Sequence, residues 1–112
     1  MKIAIPLANG KLSLHFGHCE SFAFIEVNPA TKTIISRTDV PAPPHQPGFL
    51  PHWMSEQGVD LVITGGMGQR ALGLFAQMGI KVLVGAPVDY PENLVQAYLN
   101  GTLQLGANVC DH

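Results

Sequence analysis

The stretch "VDLVITGGMGQRALGLFAQMGIKVLVGA", residues 59–86, decides the fold of this chain. An apolar run typical of a buried strand leads into glycines. A helical pattern follows, with Leu72, Phe75 and Ala76 on its apolar side and Gly79 as its stop, and a second apolar run completes the stretch. Strand, helix and strand in this order form a parallel pair that closes right-handed in nearly all cases. The stretch therefore predicts an α/β fold.

The preceding residues predict an antiparallel meander. Residues 2–7 ("KIAIPL") are typical of a short buried strand, and a second short extended segment is expected at 12–16 ("LSLHF"). β-Branched and aromatic residues at 21–28 and 32–40 flank the turn sequence "NPAT", which indicates a hairpin. The proline-rich residues 41–48 ("PAPPHQPG") exclude a helix or a central strand, because proline lacks the backbone donor. This segment is predicted to be a loop.

Two further helices are expected on either side of the strand–helix–strand unit. Residues 48–57 ("GFLPHWMSEQ") predict a short helix before Gly58. Asp89 and Glu92 have the spacing of a capping box for a last helix that Gly101 ends. The helices would pack over the sheet.

Composition favours one domain. The chain has 112 residues, of which 46% are hydrophobic and 12% charged, and this is enough for one substantial core but not for two. We expect residues 1–105 to form a single α/β domain. The polar, glycine-containing residues 106–112 would form a flexible tail.

Charge and hydropathy argue against nucleic-acid and membrane partners. The formal net charge is -2, and the six Lys and Arg residues are scattered along the chain. No apolar run approaches the ~20 residues of a membrane-spanning helix. A cytoplasmic protein is predicted, in which Cys19 and Cys110 stay reduced.

The glycines after the first predicted parallel strand suggest an anion site. In "TGGMGQR" (64–70), Gly65, Gly66 and Gly68 precede a helix whose free backbone N–H groups would point at a ligand, with Arg70 adding a positive charge. Alternatively, these glycines only allow a tight turn. The sequence matches neither the dinucleotide fingerprint nor the P-loop, so a nucleotide site is not supported.

A second candidate is "HFGHC" (15–19). His15, His18 and Cys19 offer imidazole and thiolate ligands of the kind that suit zinc, copper or an iron–sulfur type centre. Three ligands in five residues do not complete a closed tetrahedral site, and the histidines are equally compatible with an ordinary surface position. Further candidate ligands lie elsewhere in the chain: His45, His52, Cys110 and His112.

An enzyme is less well supported than a binding protein. The first strand carries no acid and only Asp60 begins a core strand, so metal-dependent hydrolysis of nucleic acid is not expected. Cys19 with His15 or His18 could act as a nucleophile and base, but no third orienting group is identifiable. The remaining alternatives are a small-anion-binding regulatory or interaction module and a thiol- or metal-dependent enzyme that uses Cys19.

Four segments carry a resemblance to a known family: "MKIAIP", "HFGHCESFAFIEV", "GVDLVITGGMGQRALGLFAQMGIKVLVGA" and "YLNGTL". In this order the chain resembles the dinitrogenase iron–molybdenum cofactor biosynthesis family, orange-protein type. The resemblance covers nearly the whole chain, and the pairing of "HFG" with "GGMG" is fairly specific.

The resemblance implies a ribonuclease H-like mixed five-stranded sheet flanked by helices, without nuclease carboxylates. It also implies a non-enzymatic protein that binds, carries or assembles an anionic metal–sulfur cluster. The cargo would be a molybdenum–copper sulfide cluster or, alternatively, an iron–molybdenum precursor, exchanged with cluster donor or acceptor proteins.

Carried onto this sequence, the resemblance makes two motifs the walls of a pocket. His15, Phe16 and Gly17 would form one wall and residues 65–68 the other. Arg70 and the backbone N–H groups would hydrogen-bond to sulfides. Phe16, Met67 and Trp53 are expected to supply an apolar surface. Residues with a less defined place in the site are His18, Cys19, His45 and His52.

Overall fold

The computed structural model describes residues 1–44 and 46–109, which form a mixed sheet with helices on both sides. The strands are β1 (Lys2–Ala8), β2 (Lys11–Leu12), β3 (Ser21–Asn28), β4 (Thr33–Pro41), β5 (Leu61–Ile63) and β6 (Lys81–Leu83). The helices are α1 (Phe49–Glu56), α2 (Gln69–Gln77) and α3 (Pro91–Asn100), and a single 3₁₀ turn covers Phe16–His18. In the part of the chain described, no helix has the length and apolarity needed to span a bilayer.

The sheet confirms the predicted α/β class. Its main path runs β4-β3-β1-β5-β6, with β1 antiparallel to β3 and parallel to β5, and β5 parallel to β6. These are the five strands of the predicted ribonuclease H-like sheet. The sixth strand, β2, has two residues and pairs with β1 alone. Of the extended segment expected at 12–16, Leu12 belongs to β2 and His15 forms an isolated parallel bridge with Gly66, through the Phe16 N–H and the Gly66 carbonyl at 3.1 Å.

Side chains alternate across the strands and divide the core between two faces. Ile3 and Ile5 of β1 point to one face and Ala4 points to the other. The first, here called the aliphatic face, is covered by α3 through Leu94 and Val95. The second, the aromatic face, is covered by α1 and α2 and has a core consisting of Ala4, Phe16, Phe22, Phe24, Met54, Val59, Val62, Met67, Phe75 and Ile80.

One predicted core position is wrong. Ala76 was expected on the apolar side of α2, and it is exposed. The neighbouring Phe75 is fully buried, and Leu72, one turn earlier on the same side, is half-buried. Successive side chains of a helix are rotated by about 100° around its axis. Because Phe75 points into the core, the next residue, Ala76, is turned away from the sheet.

The predicted capping box is also wrong. Helix α3 begins at Pro91 after Tyr90, and no side chain caps it. The Asp89 carboxylate lies one residue too early and accepts hydrogen bonds from the Tyr90 N–H, at 2.7 Å, and from Nδ2 of Asn93, at 2.9 Å. Glu92 reaches a different partner, because both of its carboxylate oxygens accept hydrogen bonds from Arg37 Nη1, at 2.6 and 2.8 Å.

Candidate functional site

Phe16 anchors the 3₁₀ turn that follows β2. Its ring is only 4% exposed and lies 5.5 Å from the ring of Phe22 and 5.5 Å, edge-on, from that of Phe75. The adjacent His15 and His18 remain exposed, with their rings 6.5 Å apart. Burial of one aromatic ring therefore fixes the turn and leaves both imidazoles at the surface.

The glycine turn (residues 65–68) lies directly against this 3₁₀ turn. The Phe16 N–H donates to the Gly66 carbonyl, as described above. A Cβ atom on Gly65 would lie 2.8 Å from Cδ2 and 2.9 Å from Cα of Leu14, which is closer than real Cβ contacts. Glycine at 65 is thus required by the close approach of the two segments. This contact is the physical basis for the paired "HFG" and "GGMG" motifs.

A cavity of about 450 Å³ opens where these two turns meet the loop before α1. Three segments of the chain line it, and each starts or ends a secondary-structure element. The lining residues are His15, Phe16, Gly17 and His18 from the first, Gln46, Pro47, Gly48, Leu50 and Pro51 from the second, and Met67, Gly68, Arg70, Ala71 and Leu74 from the third.

The walls of the cavity combine apolar surface with positive charge. Phe16, Leu50 and Leu74 contribute apolar side chains, while Arg70 contributes a permanent positive charge. Among residues 1–44 and 46–109, no side chain caps the amino end of α2, which lies at the cavity through Gly68. Among the described residues that line the cavity, none is Asp or Glu. The electrostatics therefore favour an anionic ligand.

The structure brings most of the predicted pocket residues together. Gly65 and Gly66 do not line the cavity, since both are buried behind its wall. The predicted residues that do line it are His15, Phe16, Gly17, His18, Met67, Gly68 and Arg70.

Cys19 lies outside this cavity. It lines a second hollow of about 250 Å³, together with Glu20, Ala42 and Pro43. Burial raises the pKa of the Cys19 thiol to about 11, although backbone hydrogen bonds oppose part of the shift. Because the thiolate is the reactive form, the raised pKa disfavours Cys19 as a nucleophile near neutral pH.

The other predicted site residues are not brought to the cavity. His52 is exposed on α1, with Nε2 3.8 Å from a carboxylate oxygen of Glu56. Trp53, expected in the apolar wall, packs instead on the rings of Phe22 and Phe24, at 5.8 and 5.6 Å. His45, Cys110 and His112 lie outside the described residues. Within residues 1–44 and 46–109, no three His, Cys, Asp or Glu side chains form a group that could hold a metal ion.

The sequence analysis missed several contributions to the site, among them four lining residues of α1 and α2: Leu50, Pro51, Ala71 and Leu74. The end of the proline-rich loop, residues 46–48, forms part of the wall, and its prolines indicated irregular structure without indicating a location. Asn108 hydrogen-bonds to the main chain of Met67 through both ends of its carboxamide, and no local pattern indicates such a contact across 41 residues. The flexibility expected for residues 106–112 stays a prediction.

Comparisons with known proteins identify the family of this chain and proteins that share its fold. The sequence profile of the family described as "Dinitrogenase iron-molybdenum cofactor" matches residues 1–101. An uncharacterized protein of Methanocaldococcus jannaschii, MJ0580, is 31% identical over 107 residues, which cover 93% of this chain and 90% of that protein.

Two solved structures share the fold. The crystal structure of PH0822 superimposes with a TM-score of 0.85 at 28% identity, covering 94% of each chain. The apo form of the orange protein from Desulfovibrio gigas superimposes with a TM-score of 0.72 at 23% identity, covering 96% of this chain and 93% of that one. With the family profile matched over most of its length, this chain belongs to the dinitrogenase iron-molybdenum cofactor family.

Proposed function

We propose that this chain binds an anionic metal–sulfur cluster in the cavity beside the glycine turn and carries it as cargo, without catalysing a reaction. The observation that carries the proposal is the chemistry of the cavity wall. Arg70 and two imidazoles face an apolar surface, and the described lining includes no carboxylate. Such a wall suits an anion with a soft, polarizable surface.

Each part of the wall has a distinct task in this proposal. The guanidinium of Arg70 presents several N–H donors in a fixed plane, and the uncapped amino end of α2 adds backbone donors. The apolar side chains of Phe16 and Leu74 exclude water, which strengthens hydrogen bonds to the cargo. His15 and His18 provide further N–H donors at the rim.

Binding would need no metal ligand from the protein. A preformed cluster brings its own sulfides, so hydrogen bonds to sulfide and electrostatic attraction can hold it. This agrees with the lack of a three-ligand group among the described residues. A molybdenum–copper sulfide cluster is the favoured cargo, and an iron–molybdenum precursor is the alternative.

Family membership supports a role connected with metal–sulfur clusters. The family is named for the iron–molybdenum cofactor, and the orange protein shares the fold. We extend this to cytoplasmic carriage of the cluster between donor and acceptor proteins.

The first test is uptake of cluster by the ligand-free protein. Mixing it with tetrathiomolybdate and copper should give visible sulfide-to-metal absorption and stoichiometric molybdenum by elemental analysis. Arg70→Gln should weaken uptake about tenfold to a hundredfold, because a hydrogen bond to a charged group contributes roughly 1.5–3 kcal/mol. Arg37→Gln is the matched control, since Arg37 lies on β4 and contacts α3. A wild-type protein that stays colourless would refute the proposal.

A second candidate function is a regulatory or interaction module that binds a small anion without metal. The same carboxylate-free cavity favours it. Titration with sulfate, phosphate and molybdate by calorimetry separates the two functions. Saturable binding of these anions, combined with no uptake of thiomolybdate and copper, would favour the second.

A further inference from the structure

The C-terminal segment, residues 106–109, is hydrogen-bonded to the back of the glycine turn. The Gly106 N–H donates to the Gly85 carbonyl at 2.7 Å, and the Gly85 N–H donates to the Gly65 carbonyl at 2.9 Å. The segments around Gly85 and Gly106 approach so closely that a Cβ atom on Gly85 would lie 2.1 Å from the Gly106 carbonyl oxygen. The segment therefore forms a layer behind the turn.

Asn108 extends this layer to the cavity wall. Its Oδ1 accepts a hydrogen bond from the Met67 N–H at 3.0 Å, and its Nδ2 donates to the Met67 carbonyl at 2.9 Å. One carboxamide thus satisfies both backbone groups of a single residue, as a neighbouring strand would. The peptide planes on both sides of Met67 are fixed by this pair of bonds.

Met67 links the turn to the start of α2. Its side chain is 1% exposed, it lines the cavity, and it directly precedes Gly68 and the helix that carries Arg70. The direction of the Met67 peptide planes therefore sets how the chain enters α2 at Gly68.

We propose that Asn108 is a positioning residue for the cavity, holding the Met67 backbone so that the amino end of α2 faces the ligand. This inference rests on the proposed function for the identity of the cargo. It also assigns the Met67 N–H to Asn108 and not to the anion. The groups that line the cavity and can donate to the cargo then include the Gly68 backbone, Arg70 and His18.

The positioning can be measured without any cargo. Amide hydrogen exchange followed by NMR should show the Met67 N–H protected in the wild type and exchanging about fivefold faster in Asn108→Ala, since one hydrogen bond contributes about 1 kcal/mol. Asn108→Asp keeps one acceptor oxygen but sets the other carboxylate oxygen against the Met67 carbonyl in place of the Nδ2 donor, so this variant should also lose the protection. The control is Asn28→Ala, because Asn28 Oδ1 accepts N–H bonds from Ala30 and Thr31 in the β3–β4 turn.

Cargo binding then tests whether the position of the Met67 backbone affects the affinity of the cavity. With tetrathiomolybdate and copper, Asn108→Ala should bind about tenfold more weakly than the wild type and show a shifted visible spectrum. Asn28→Ala, which loses comparable side chain–backbone bonds, should bind normally. Equal affinity of wild type and Asn108→Ala would overturn the inference, as would a wild-type Met67 amide that exchanges freely. If the wild type takes up no cargo, the proposed function fails, whereas the exchange result still decides whether Asn108 orders the turn.

Discussion

The two faces of the sheet are made by the same strands but are covered differently. On the aliphatic face, one helix, α3, lies over Ile, Leu, Val and Ala side chains through Leu94 and Val95. On the aromatic face, α1 and α2 cover phenylalanine rings, and both cavities described above border that face.

The difference lies in how the covering helices begin. Helix α3 starts at Pro91, which is buried, and its apolar side continues the core without a gap. Helix α1 starts after the proline-rich loop and helix α2 after the glycine turn, and residues of both segments line the cavity. Packing on one side of the sheet thus supplies stability while the other side keeps a ligand-sized space. Variants on the two faces should therefore separate stability from binding.

The largest effect is expected from truncating one core side chain on each face. Phe75→Ala should cost about 3–5 kcal/mol of unfolding free energy and Leu94→Ala about 2–5 kcal/mol, because each leaves a cavity in a packed core. Phe75→Ala should also weaken cluster uptake, since Phe16 loses its edge-on partner. Urea unfolding and uptake titrations measure the two effects. Equal loss of uptake from both variants would contradict the division between the faces.

A second effect concerns the contact that joins the two motifs. Gly65→Ala should destabilise the protein by about 1–3 kcal/mol, because the added Cβ must displace the backbone of Leu14. Gly73→Ala is the matched control: Gly73 lies in α2, and a Cβ there meets nothing within 4 Å. This variant should instead stabilise by about 0.5–1 kcal/mol. Thermal unfolding that shifts in the same direction for both would argue against the close approach at Gly65.

A third effect is the pH dependence of Cys19 at the border of the aromatic face. The rate of alkylation by iodoacetamide is measured against pH in a Cys110→Ser background. This rate should reach half its maximum near pH 11 in the folded protein and near pH 9 after unfolding in guanidinium, because burial raises the pKa of Cys19. Since folding holds this proton more tightly, stability should decrease as the pH rises above about 9. A folded-state midpoint at 9 would show that the thiol is not desolvated.

The smallest effect should come from the ion pair that joins β4 to α3. Hydrogen bonds from Arg37 lower the pKa of the Glu92 carboxylate. Arg37→Ala should cost about 0.2–1 kcal/mol, as expected for a partly exposed pair. The loss should be present above pH 4.5 and disappear as the pH falls through the lowered pKa of Glu92. Urea unfolding at pH 7 and pH 3, with Glu92→Gln for comparison, checks this. Cluster uptake should not change.

Several local features were predicted correctly from the sequence. The apolar runs, the helical pattern of 69–77 and the "NPAT" hairpin depend on residues close together in the chain, and their periodicity predicts strands, helices and turns. Some errors occurred where a competing contact came from afar. Glu92 bonds to Arg37 across 55 residues instead of capping α3. The error at Ala76 is local, since Ala76 lies about 100° around the helix from the buried Phe75.

The sequence by itself determined the α/β class, the family and the two motifs that meet at the cavity. Only the tertiary structure decided which residues line that cavity. It excluded Cys19 and His52 from the lining, buried Gly65 and Gly66 behind the wall, and brought Asn108 to Met67. The physical reason is that periodicity reports which way a side chain points from its own element. The packing of distant elements determines what it meets there.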